Sequence, residues 1–425
     1  MKFALVNPQW SFAGSTYFGC PETHLPLELL YAQQQLQAAG HETWLLDAHL
    51  EGIDPEAASV RLAAFVPDFL VLTTAPTYLF WRCPQPELRV PALWMRRLRR
   101  AAPQAISVAI GPHGSATPAS TRAKLGCDTV LQGEAEQQLA LLAAHGHPEP
   151  GYHRADLAHL NALDYASYPM RLRQHRHHVF TGEGRGAEIE ASRGCPWACT
   201  FCNKTLFRNQ FRQRPLAAVL AELEALLRLG IGYVYFIDEI FGCGKSTPAL
   251  LDALRRLPVR FGVQTRIDLW NEDTLAALGA AGCISFECGI EAVTPEGRAH
   301  FRKGCHLDTA RIRQLLAAAR LHIPWVQANL IADEADDLDA VNTWRQQLIT
   351  AGVWVSQPVP VFAYPGTPLY QSLFGPPDDH AWERAHRRYL ETNRARGYYS
   401  DVQDQAPLPL DALDAALEIT APLNA

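Results

Sequence analysis

No stretch of this 425-residue chain approaches the roughly eighteen consecutive apolar residues of a membrane-spanning helix, so no span is expected. No lysine- and arginine-rich face stands out either, and the formal net charge is −6, which argues against a nucleic-acid partner. The nearest thing to a basic patch, Arg96-Arg97-Leu98-Arg99-Arg100, reads as a solvated helix end. Ten cysteines are scattered without the density or spacing of a disulfide framework, which points to a reducing compartment, the cytoplasm. The opening run Met1–Pro8 is too short for a signal peptide and reads as a first strand. A second cysteine pair at zinc-site spacing is also lacking. Against these absences, a hydrophobic content of 48% supports full-size cores, and the length predicts two or three domains.

What is present is concentrated in Ser192-Arg193-Gly194-Cys195-Pro196-Trp197-Ala198-Cys199-Thr200-Phe201-Cys202. Three cysteines spaced CxxxCxxC on one tight loop suit an iron–sulfur cluster with one iron left open, because a closed cluster uses four thiolates. A structural zinc normally takes four protein ligands from two separated pairs.

Around this loop the chain alternates strand and helix patterns. Residues 1–147 give strands at Phe3–Val6, Thr43–Leu46, Phe69–Leu72, Ser107–Ile110 and Thr129–Leu131, with helices between them. That predicts an α/β, doubly wound (Rossmann-like) parallel sheet with its ligand crevice beyond the carboxyl ends of the strands. Those ends carry Asn7, Pro8, Thr73, Thr74, Gly111 and Gly133. Residues 148–186 are rich in His, Pro, Arg and Gly, with His175, His177 and His178 close together, and read as a linker wrapping between domains. Residues 187–374 give strands at Ala187–Ala191, Tyr233–Ile237, Arg260–Val263, Cys283–Cys288, Trp325–Ile331 and Val353–Pro358, six strand–helix units of a partial (β/α)6 barrel. Residues 375–425 read as a short helical tail with a break at Pro407-Leu408-Pro409.

The cysteine loop, down to Phe201 before its last cysteine, resembles the signature of the radical S-adenosylmethionine (SAM) superfamily. The resemblance implies that Cys195, Cys199 and Cys202 hold a [4Fe–4S] cluster whose open iron binds SAM. It also implies that the Phe201 backbone touches the adenine. It extends along the barrel: Asp238 and Glu239 stand where the family places carboxylates near the SAM amino group. Arg266 is placed like a SAM-contacting arginine, and Glu291 like a residue near the ribose. The turn Tyr364-Pro365-Gly366-Thr367-Pro368 and the runs Ile110–Gly114 and Gly133-Glu134-Ala135-Glu136 are similar to the class with an N-terminal cobalamin-binding domain. One departure is Ile331-Ala332-Asp333-Glu334-Ala335, where the family usually continues into a Gly-x-Pro turn.

Asp47-Ala48-His49-Leu50-Glu51-Gly52 reads as DxHxxG, which supplies the lower cobalt ligand in another cobalamin family, but there it follows the first strand and here the second. His49 is therefore expected to be a loop histidine, and cobalamin to bind without a histidine on cobalt. The resemblance further implies a small natural-product-type substrate and an external low-potential electron donor of the flavodoxin or ferredoxin type. Three functions follow: a cobalamin-dependent methylase, preferred because that chemistry is commoner; a transferase moving the 3-amino-3-carboxypropyl group of SAM to a soft acceptor such as trivalent arsenic; and a non-catalytic cobalamin or iron–sulfur sensor.

Overall fold

Alternate residues of the first strands carry opposite duties, which is what a sheet covered on both faces requires. The computed structural model describes residues 1–11, 23–77, 84–170, 185–332 and 337–396. Strands β1 (Lys2–Asn7), β2 (Glu42–Asp47), β3 (Phe69–Thr73), β4 (Ile106–Ile110), β5 (Thr129–Gly133) and β6 (Tyr152–His153) form one parallel sheet in the order β2-β1-β3-β4-β5-β6. Ala4, Val6, Leu70 and Leu72 pack against helices Pro55–Phe65 and Arg89–Ala101, while Phe3, Leu5, Phe69 and Val71 pack against helices Leu27–Ala38 and Gln138–His145. Local signals set several helix starts. The Asp54 carboxylate accepts from Ala57 N–H with Pro55 in the first turn, and Asn271 and Thr274 form a reciprocal capping box.

The second sheet begins with β7 (Arg185–Ile189). A two-residue antiparallel clip follows, β8 (Ser192–Arg193) on β9 (Arg212–Gln213). The sheet then continues through β10 (Ile231–Phe236), β11 (Arg260–Thr265), β12 (Cys283–Glu291), β13 (Trp325–Leu330) and β14 (Trp354–Val355), all parallel, in the order β14-β13-β12-β11-β10-β7. Each new strand adds on the same side, as in a partial barrel, whereas the order of the first sheet reverses at β1.

Three details differ from the sequence reading. The last strand is shorter than Val353–Pro358 because Pro358 has no N–H for the ladder, and pairing resumes only as a bridge between Ile331 and Val359. Residues 148–170 do more than link. They supply β6 to the first sheet, and Leu157, Leu160, Leu163, Tyr165 and Met170 are buried in the core of the second sheet. His175, His177 and His178 lie outside the described residues, as do residues 333–336 and Pro407-Leu408-Pro409. Finally, the tail contains a 16-residue helix, Ala381–Arg396, that docks on the first sheet's helices: Trp382 Nε1 donates to Thr117 at 3.0 Å and Lys124 meets Glu383 at 2.6 Å.

Candidate functional site

The cysteine loop is closed at its base and tethered along its length. The β8–β9 clip joins its ends, and Gly194 leaves the clip at φ +86°, a conformation that L side chains rarely adopt. A Cβ at Gly194 would collide with the Gln210 carbonyl, so glycine is required twice over. Gly194 N–H donates to the Glu239 carboxylate at 2.6 Å, Cys195 N–H to the Arg208 carbonyl at 2.8 Å, and Thr200 N–H to the Phe301 carbonyl at 3.0 Å. No disulfide joins Cys195, Cys199 or Cys202, and all three line one cavity of about 310 Å³ at the carboxyl ends of the barrel strands. Burial pushes the Cys199 thiol up and the Cys202 thiol up to about 11, so iron must displace protons to bind there. Among the described residues no three His, Cys, Asp or Glu side chains converge on a point fit for a single metal ion. Three thiols spaced around a cavity suit a cubane, which is larger than one ion.

The same cavity gathers Phe201, Glu239, Arg266 and Glu291. Phe201 packs edge-on against Phe301, with ring centroids 5.5 Å apart. Arg266, just beyond β11, forks onto Asp268 at 3.0 and 2.7 Å, donates to the Lys303 carbonyl at 2.6 Å and lies over the Trp197 ring at 4.4 Å. Glu291 ends β12 at φ +69°, a strained conformation for a residue with a side chain, and its carboxylate meets Lys303 at 2.9 Å. Burial raises the pKa of Glu239, but Arg208 and Lys204 outweigh it and hold the carboxyl below its ordinary range.

Asp238 is not brought to the cavity. Its carboxylate turns back to accept from Ala191 N–H at 2.9 Å and from the Ser192 hydroxyl, and burial pushes it up to about 7. Lys204, Lys303 and Trp197 line the cavity and were missed by sequence reasoning. Lys204 stands two residues past Cys202, which is a usable signal. Lys303 lies beyond a helix twelve residues from Glu291, and nothing in the local sequence marks it.

At the first sheet, the order reverses between β1 and β3, which puts Asn7, Pro8, Thr73 and Thr74 at the switch point, beyond the carboxyl ends where ligands of such sheets sit. Asn7 donates to Asp47 at 2.8 Å and accepts from the Trp10 indole at 2.8 Å. His49 sits in a one-turn helix, Ala48–Glu51, capped by Asp47, rather than in a loop, and its Nδ1 accepts from Trp10 N–H at 3.2 Å. His113, after β4, has both ring nitrogens engaged, with Thr74 at 3.2 Å and the Gln85 carbonyl at 2.7 Å. Gly111 has φ +132°. At Gly133 the room beside the backbone is taken by β6, since a Cβ there would collide with the His153 carbonyl.

The two carboxyl edges meet in a buried ion network. Glu134 and Glu136 follow β5, Glu190 follows β7 and Glu239 follows β10. Arg193 bridges Glu136 at 2.6 Å and Glu190 at 2.8 Å. Arg208 bridges Glu134 at 3.1 Å and Glu239 at 2.8 Å, and Arg212 meets Glu134 at 2.5 Å. Burial raises the Glu134 pKa, yet Arg208 and Arg193 overcome it and bring it down to about 2.

Comparison with known proteins follows this geometry. The family model of the radical SAM superfamily matches residues 189–337. An uncharacterized methyltransferase of Pyrococcus horikoshii is 24% identical over 69% of this chain and 66% of its own length. The hopanoid C-3 methylase of Methylococcus capsulatus is 27% identical over 80% of this chain and 67% of its own length. The chain thus spans about two thirds of these relatives. Among solved structures, the radical SAM methyltransferase TsrM from Kitasatospora setae, with cobalamin and a [4Fe–4S] cluster bound, superposes with a TM-score of 0.67 at 18% identity, covering 87% of this chain and 76% of that one.

Proposed function

We infer that this chain, which belongs to the radical SAM superfamily in the class with an N-terminal Rossmann-like domain, is a cobalamin-dependent methyltransferase acting on an unreactive carbon of a small natural-product-type substrate. The observation that carries the reading is the convergence of three thiols with Glu239, Arg266 and Glu291 on one cavity.

Cys195, Cys199 and Cys202 hold the [4Fe–4S] cluster, which when bound supplies one electron to the SAM sulfonium. Glu239, ionised, takes the SAM amino group. Arg266, fixed by Asp268 and stacked on Trp197, presents a rigid cation to the bound cofactor. Glu291 reaches the ribose and the Phe201 backbone the adenine. Asp238 serves from behind, holding Ala191 and Ser192 at the base of the cysteine loop. Val359, Val361 and Phe362 give the far cavity wall an apolar surface that excludes water. Cobalamin would be held at the crevice formed by Asn7, Pro8, Thr73, Thr74 and Gly111, and His49 is not assigned to the cobalt because its DxHxxG-like run follows β2 rather than β1. Gly133 serves the β5–β6 pairing instead. No described helix is long and apolar enough to cross a membrane. We place the protein in the cytoplasm, with an external electron donor of the flavodoxin or ferredoxin type.

The test is the nucleoside left after anaerobic incubation of the reconstituted protein with SAM and a reductant. 5′-Deoxyadenosine together with S-adenosylhomocysteine supports the methylase. Dominant 5′-methylthioadenosine replaces it with aminocarboxypropyl transfer, and intact SAM replaces both with a sensor.

A further inference from the structure

The Glu239 carboxylate is shared before any cofactor arrives. One oxygen takes the Gly194 N–H of the cysteine loop at 2.6 Å and the other takes Arg208 at 2.8 Å. Arg208 does two further things. Its backbone carbonyl accepts Cys195 N–H at 2.8 Å, and its guanidinium Nε lies 3.1 Å from Glu134. Glu134 directly follows β5 of the N-terminal sheet, so a single side chain spans from that sheet to the base of the cluster loop. All of these groups are fully or almost fully buried, and Arg193 and Arg212 hold Glu134 from other sides. In such an environment a charged group left without its partner is costly, so displacement of one member is felt by the others.

We propose that Arg208 is a positioning residue for SAM, which makes the N-terminal domain, through Glu134, part of the apparatus that sets SAM affinity at the cluster. The proposal rests on the reading that Glu239 receives the SAM amino group. The planar fork matters as well as the charge, because Arg208 must address Glu134 and Glu239 in two directions at once and lysine offers only a point charge. Glu134 in turn prevents the guanidinium from swinging wholly onto Glu239 and neutralising the carboxylate that the ammonium of SAM needs.

The experiment uses the full chain, anaerobically reconstituted, in wild type and in Arg208→Lys, Glu134→Gln and Glu239→Gln. Iron content and the electron paramagnetic resonance spectrum of the reduced cluster are recorded first without SAM, then through a titration with SAM. The expected result is an unchanged cluster signal without SAM in Arg208→Lys and Glu134→Gln. SAM dissociation constants should rise by about tenfold in Arg208→Lys and about threefold in Glu134→Gln, as misplacement of a binding group costs. The SAM-induced change in line shape should shrink in Arg208→Lys, which a merely structural role would not produce. Weakened binding in Glu239→Gln with wild-type binding in both other variants overturns the proposal and leaves the Glu239 contact standing. Wild-type binding in Glu239→Gln overturns the contact itself, and the proposal with it. Loss of iron from both Arg208→Lys and Glu134→Gln shows that the network holds the loop rather than SAM, and also overturns it.

Discussion

Among the described residues two six-stranded parallel sheets meet at their carboxyl edges, yet the centres of those edges are finished in different ways. At the switch point of the first sheet, polar groups satisfy one another locally: Asn7 with Asp47 and Trp10, and His113 with the Thr74 hydroxyl and the Gln85 carbonyl, while Glu134 and Glu136 at the β5 end join the ion network. At the second, thiols, carboxylates and cations converge on a cavity, and the surplus charge is balanced by the arginines that join the two edges. Shared parallel topology determines where a ligand can sit, outside the carboxyl ends of the strands. It does not determine what chemistry happens there. The chemistry depends on the one to three residues that terminate each strand and on whether they find partners inside their own edge or across the cavity.

The comparison can be broken most sharply at the thiols. Anaerobically reconstituted wild type should hold close to four irons per chain, and Cys199→Ala should lose the cluster and all SAM cleavage, read by iron analysis and product chromatography. Iron and activity retained in that variant would mean that the second edge is not the redox edge. Next in size, Glu239→Ala should keep its cluster but lose product formation by roughly two orders of magnitude, as misplacement at a reacting centre does. Mass spectrometry of the nucleoside products measures it.

A smaller effect concerns the helix Ala381–Arg396, which packs on the first edge. His386 is buried there with neither ring nitrogen partnered among the described residues, and burial, with a lesser contribution from Arg89, pushes its pKa down to about 3. A histidine depressed in the folded state contributes stability above its unfolded pKa of about 6.5 and loses it as pH falls from there toward 3. His386→Phe should therefore raise the melting temperature at pH 8, by removing an unsatisfied buried group worth roughly 1–3 kcal/mol. It should raise it further at pH 5, by about 2 kcal/mol more. Melting curves in which the advantage shrinks on acidification would show that His386 is protonated in the folded protein. Smallest of the set, Trp382→Phe should lose the 3.0 Å hydrogen bond to Thr117 and part of the buried packing on His113 and Tyr364, about 1–2 kcal/mol in denaturant titration, with iron content unchanged. A variant that lost the cluster instead would show that the helix, and not the ion network, couples the two edges.

The alternation of strand and helix, the two sheets, and the cysteine loop were legible in the sequence because they rest on local patterns. Short apolar runs, turn residues and tight cysteine spacing need no knowledge of the rest of the chain. Glu239, Arg266 and Glu291 were legible through the resemblance to the radical SAM family, and each stands at or just beyond the end of a barrel strand, on the cavity. Neighbouring Asp238 shows the limit. The sequence placed both acidic residues at the same strand end, but only packing decided that Asp238 would turn back onto Ala191 and Ser192. Lys303 approaches Glu291, Arg208 spans from Glu134 to Glu239, and β6 takes the room beside Gly133. None of these follows from a motif. Each is a contact between segments distant in sequence or in the fold, and burial of charge makes a partner necessary without naming which one. Local chemistry in the chain determined the elements and the cluster ligands, while the tertiary structure alone decided which charges would share a buried space.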